Sequence, residues 1–150
     1  MVKILKKKGG SILKEIEKPR SVNDTERMAN FKLSFQDLDT TQKFGSEFRD
    51  WQKAGLLSLA MDTLRGFCCS PLRQQIDGDK FAVYNSFPPE DTTMFSYPKN
   101  VPEDAHWARI HVNGPAVIVG HIVNDTFYVV FLDKTHKFWL TEKDRQKLKR

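Results

Sequence analysis

The 150-residue chain has only two cysteines, Cys68 and Cys69, and they are adjacent. Neighbouring residues cannot meet ordinary disulfide geometry without distorting the backbone, so the pair predicts reduced thiols in a reducing compartment. A vicinal redox pair is the competing reading. Long apolar runs are missing as well. The longest, Phe127 to Leu132, falls far short of the ~20 residues that a bilayer span requires. The first residues are charged, and no apolar segment with a small-residue cleavage site follows them. These features predict a cytoplasmic protein with no membrane partner. Tight metal-ligand spacing such as H-E-x-x-H is also absent. Four histidines with Asp104 and Asp133 are the material available for a metal site, and neither a metal nor a cofactor is expected.

What the chain does have is enough length for one domain, which buries about two-thirds of its unfolded surface at this size. Its net charge of +5 sits at the ends. Residues 1–20 hold seven Lys/Arg against two Glu, residues 141–150 hold five against two acids, and the middle keeps a small acidic excess. Basic tails on a near-neutral body suit contact with phosphate backbones. Solvated ends that keep the protein soluble are the alternative, and charge alone does not choose. The expected organisation is a basic arm and linker over residues 1–27, an α+β domain over 28–140, and a basic tail over 141–150.

Hydrophobic periodicity orders the domain. Phe31, Leu33 and Phe35 alternate with polar residues, as a half-buried strand does. Asp39 and Thr40 offer a helix cap. Phe44, Phe48 and Trp51 then form a stripe at helical spacing, which Gly55 breaks. Leu56 to Phe67 predicts a second helix, ended by Cys68-Cys69-Ser70-Pro71. Phe81 to Tyr84 reads as a strand, followed by a proline-punctuated loop from Asn85 to Asp104, a length that often marks a functional or mobile segment. Three further strands follow: Trp107 to Val112, Ala116 to Val123 and Thr126 to Leu132. Asn113-Gly114 and Asn124-Asp125 supply the turns. Thr126 to Leu132 is apolar on both faces and belongs mid-sheet. Thr141 caps a short basic helix or a tail. The fold class expected is α+β, with two N-terminal helices packed on a mostly antiparallel four- to five-stranded sheet.

The polar residues of this sheet suggest chemistry. Trp107, Arg109 and His111 share one strand face, and Lys134, His136, Lys137, Phe138 and Trp139 lie just beyond the last strand. Cations interleaved with aromatics are what single-stranded RNA recognition needs. A neutral histidine moves a proton, and an arginine stabilises a phosphorane-like transition state. Each residue also has a structural reading: Trp51 and Trp107 as core anchors, Phe138 and Trp139 as packing at the sheet end, His121 as a hydrogen-bonded core histidine, and His106 as surface.

In this order of elements the chain resembles the RelE/YoeB-type bacterial toxins, which are ribosome-associated mRNA interferases. Phe31-Lys-Leu-Ser-Phe is similar to their first strand. Glu47-Phe-Arg-Asp-Trp-Gln through Arg65 to Ser70-Pro71-Leu72 is similar to their helix pair and its exit. His106-Trp-Ala-Arg-Ile resembles their arginine-bearing strand, and Val117-Ile-Val to Val129-Val-Phe resembles the last hairpin. Lys134-Thr-His-Lys-Phe138 resembles their terminal catalytic segment. The resemblance implies a metal-independent RNA endonuclease of a toxin–antitoxin system. Its substrate would be RNA or ribosome-bound mRNA, and an antitoxin would cover the active face. It implies a catalytic group of Arg109, His136, Lys134 and Lys137, with Trp107, His111, Phe138 and Trp139 binding nucleic acid. Three departures stand out. Pro115-Ala116 replaces a second arginine, the loop between Asn85 and Asp104 is longer, with Glu90 or Asp91 as its acidic candidate, and the arm 1–27 is extra. They leave open a non-catalytic nucleic-acid- or protein-binding module of phage or mobile-element origin with the same fold.

Overall fold

The computed structural model describes residues 29–148, together with Leu13, Lys14, Ile16 and Arg27. The arm and linker over 1–27 therefore lie almost wholly outside the described residues. The elements are β1 (Lys32–Ser34), α1 (Phe48–Lys53), α2 (Leu57–Phe67), β2 (Phe81–Asn85), β3 (His106–Asn113), β4 (Ala116–Val123), β5 (Thr126–Asp133) and α3 (Glu142–Leu148), with short 3-10 turns at Leu72–Gln75 and Glu90–Thr92. The five strands form one mixed sheet in the order β1-β5-β4-β3-β2. β1 runs parallel to β5 and the other pairs are antiparallel. The α+β class follows. The apolar β5 lies inside the sheet, as its composition demands.

Both faces of the sheet are covered, by different means. On one face Ala108, Ile110, Ile118, Ile122 and Phe127 share a core with Trp51 of α1 and with Ala60 and Leu64 of α2. On the other, Trp107, Val117, Val119 and Phe131 pack with Phe95, Val101 and Phe138, flanked by Phe87 and Tyr97. The loop after Asn85 is thus a second core layer rather than a free segment. It is tied down by Met94 N–H to Lys137 C=O (3.0 Å) and by Leu140 N–H to Thr92 C=O (2.7 Å). Aromatic residues at Phe87, Phe95 and Tyr97 explain why so long a loop is held.

The first helix differs from the periodicity. It begins at Phe48, and Phe44 joins the opposite core. The residues before it are claimed by the sheet: Asp39 N–H donates to Val130 C=O (2.8 Å) and Ser46 N–H to Leu132 C=O (3.0 Å) along the β5 edge. Asp39 consequently caps a turn, accepting from the backbone N–H of Thr41 (2.9 Å), instead of a helix. Gly55 does end α1. Its φ of 73° lets the N–H of Leu56 reach Trp51 C=O and its own N–H reach Gln52 C=O, a paired terminal closure that favours glycine. At the other end of the chain Thr141 Oγ1 accepts the N–H of Asp144 (3.2 Å), so α3 is capped as expected.

Gly120 marks the tightest point of the sheet. A Cβ there would run into the carbonyl oxygen of Tyr128 and the ring of Phe127, at the register shift between β4 and β5. Among the described residues no helix is long and apolar enough to cross a membrane.

Candidate functional site

Strand register lays out the second face in rows. His111 lies opposite Val117, which lies opposite Asp133; Arg109 lies opposite Val119, which lies opposite Phe131. Trp107 lies opposite His121 in the next row. Arg109 and His111 therefore share the face that ends at Asp133, the last residue of β5.

Arg109 is half-buried and donates from Nη1 to the carbonyl of Asp79 (2.7 Å). That carbonyl sits in a turn closed by the Asp77 carboxylate, which accepts from the N–H groups of Asp79 (2.9 Å) and Phe81 (3.0 Å). Those bonds, the one from Phe81 first, hold Asp77 below the usual carboxylate range. The Arg109 guanidinium also faces the hydroxyl of Tyr84. Tyr84 is the extra residue of a bulge between Val83 and Asn85, with Asn85 at φ 72°. Such a bulge re-aims a side chain. Burial raises the phenol above its ordinary range despite the nearby Arg109, so it keeps its proton at neutral pH.

Asp133 connects the strand end to the histidine. Fully buried, its carboxylate accepts from the N–H of Lys137 (3.0 and 2.9 Å) and of Phe138 (2.8 Å), closing the turn that carries His136. Burial pushes its carboxyl up, while these amides and the nearby His136 favour the ionised form. His136 itself has φ 61°, a left-handed conformation uncommon outside glycine. Asp133 is in electrostatic reach of both Tyr84 and His136. Tyr84 thus feels both Arg109 and Asp133 across the second face, and Asp133 closes the turn that carries His136.

Other expected members fall elsewhere. Lys137 lines a cavity of about 240 Å³ with Phe44, Leu140 and Leu148, and the half-buried Lys134 makes no side-chain hydrogen bond or ion pair among the described residues. His111 is spent on the β3–β4 turn, its Nε2 lying 2.9 Å from the Gly114 carbonyl. Trp107 and Phe138, expected to stack on bases, are buried core. Trp107 is ringed by Phe87, Tyr97, Phe131 and Phe138 at 5.1–6.1 Å and offers no free face. The structural reading of those two aromatics is the one that holds. Trp139 is half-buried, with Tyr84 stacked on it at 4.6 Å. His121 is a core histidine, paired to Asp37 at 2.8 Å, and Trp51 is a core anchor. His106 is exposed at the start of β3.

Sequence reasoning missed Tyr84 and considered Asp133 only as material for a metal site. The bulge that aims Tyr84 leaves one faint mark, the Tyr-Asn pair ending β2, since asparagine tolerates positive φ. Among the described residues no three His, Cys, Asp or Glu side chains gather as a metal site would. The chain matches no family model, and comparison with curated proteins and with solved structures also found no match.

Proposed function

We propose that the protein is a toxin-type RNA endonuclease that needs no metal, acting at the sheet end defined by Arg109 and His136. The observation that supports this is the packing of Tyr84, which faces Arg109, on Phe138 and Trp139, next to the turn that Asp133 closes around His136. A permanent cation, a protonated phenol and an imidazole are groups that metal-free transesterification of RNA uses. In this reading His136 takes the proton of the ribose 2′-hydroxyl as the O2′–P bond forms. Arg109 stabilises the charge on the phosphorane oxygens. The P–O5′ bond then breaks, and the leaving 5′ oxygen takes the proton of Tyr84, leaving a 2′,3′-cyclic phosphate. Asp133 acts through His136 by fixing the turn that carries it. The substrate would be RNA, including ribosome-bound mRNA, and an antitoxin would cover this end of the sheet.

Cleavage of ribosome-bound mRNA by the full chain in the presence of a chelator is the test. Arg109→Ala and His136→Ala should each lower the rate by about a hundredfold or more. No cleavage by the wild type, or undiminished cleavage by both variants, sinks the assignment.

One observation favours a second reading. Of the three aromatics expected to stack on bases, Trp107 and Phe138 are enclosed and Trp139 alone is half-buried. A non-catalytic nucleic-acid- or protein-binding module accords with so small a stacking surface. RNA binding that falls steeply with salt, without strand scission, would select it.

A further inference from the structure

A cleft of about 640 Å³ opens on the loop-covered side and shares no lining residue with the Arg109–His136 site. Its first wall is the stretch 39–46, which leaves the β5 edge at Asp39 and returns to it at Ser46. The Asp39 carboxylate braces that excursion, accepting from Thr41 N–H (2.9 Å), Thr41 Oγ1–H (2.6 Å) and Gln42 Nε2–H (3.0 Å). The second wall is the loop around Ser96 to Asn100. Gln42 staples the two together, donating to Ser96 C=O (2.8 Å) and accepting Ser96 N–H (2.7 Å). Such walls are held in place before any ligand arrives.

The lining divides into groups already used and groups unused. Asp37, 7% exposed, is bound by His121, and Asp39 accepts three hydrogen bonds within its own turn. Both carboxylates are therefore spoken for. Among the described residues the side chains of Thr40, Ser96 and Asn100 and the ammonium of Lys99 have no hydrogen-bond or ion-pair partner, and Lys43 has only the Phe44 ring, 5.4 Å away. Two free cations beside hydroxyl and amide groups suit an anion with a polar body. Tyr97 adds an aromatic wall, fixed by its packing on Phe87 and Trp107 and by its hydroxyl donating to Pro102 C=O. The volume lies within the usual range for small-molecule sites.

We propose that this cleft binds a nucleoside phosphate: Lys43 and Lys99 hold the phosphate, Thr40, Ser96 and Asn100 the ribose, and Tyr97 lies against the base. The ligand is either a free mononucleotide or one nucleotide of a single-stranded RNA; the chemistry is shared. The site stands whether or not the protein cleaves RNA.

Calorimetric titration of the full chain tests it, with AMP, GMP, CMP and UMP, their nucleosides, and a 5′-phosphorylated RNA oligonucleotide as probes. At least one mononucleotide should bind about tenfold or more tightly than its nucleoside, since two ammonium contacts are worth at least that factor of ten. The double variant Lys43→Ala/Lys99→Ala should erase that difference while melting as the wild type does, because neither ammonium holds an ion pair. Arg109→Ala should bind the mononucleotide unchanged. Oligonucleotide affinity unchanged in the double lysine variant assigns the cleft to free nucleotides, and affinity that falls there as the mononucleotide's does assigns it to a chain. No nucleotide binding, wild-type mononucleotide affinity in the double lysine variant, or loss of mononucleotide binding in Arg109→Ala overturns the proposal.

Discussion

His136 holds a backbone conformation that costs a non-glycine residue about 1 kcal/mol or more, and it does so because the buried Asp133 carboxylate gathers the amides that follow. Strain and function separate by substitution. His136→Gly should leave stability within about 1 kcal/mol of wild type by chemical denaturation, because glycine adopts this conformation freely. Cleavage should fall as far as in His136→Ala. Asp133→Ala is different: it leaves the buried N–H of Phe138 and the part-buried N–H of Lys137 unpaired and should cost about 2–4 kcal/mol. Asp133→Asn separates charge from hydrogen bonding, since a single oxygen at the Oδ2 position can accept from both Lys137 and Phe138. The folded pKa of Asp133 is raised by burial. Its contribution to stability is therefore fully present below the ordinary carboxylate range and lost as pH rises through the raised value. Denaturation curves across the acid range should show Asp133→Asn gaining on the wild type as pH increases; a gap that widens against the variant would reverse the sign of the argument. At this scale the sequence displayed Arg109 and His136 because strand alternation and a strand end are readable patterns. It concealed the surroundings of Tyr84 and Asp133, which depend on a bulge and on the path of a turn.

Among the elements, the β4–β5 pair and the loop after β2 carry most of the architecture's unusual features. Gly120 lets β5 approach β4 where the register shifts, and Gly120→Ala should cost about 3 kcal/mol or more, read as a fall in thermal midpoint. The loop after Asn85 should behave as core. Phe95→Ala should destabilise by about 3–5 kcal/mol, and the amides of Met94 and Leu140 should resist hydrogen exchange nearly as well as those of β4. Rapid exchange at both amides would return the loop to the mobile class that its length and prolines suggest. Strands, their turns and α2 were legible in the sequence because their periods of two and of 3.6 residues are local. The start of α1 was not. Phe44 sits at helical spacing from Phe48, yet the β5 edge captures residues 39–46 through two backbone bonds, and a tertiary pairing of that kind leaves no trace in periodicity.

For the whole molecule, two sheet faces buried by different material leave only an end of the second face for Arg109 and His136. Two of the three aromatics expected to greet RNA, Trp107 and Phe138, were drawn inward as core, so much of a composition suited to base stacking went into folding. Binding should accordingly lean on charge, and affinity for single-stranded RNA should fall as salt rises, measured by fluorescence anisotropy. The central claim is that Arg109 and His136 serve one phosphate-sized site. A double-substitution cycle on the rate of RNA cleavage tests it most directly, comparing Arg109→Ala, His136→Ala and the pair. If the two groups act on one phosphate, the double variant should be little slower than either single variant. Losses that multiply independently, or single variants as fast as the wild type, would contradict a shared site.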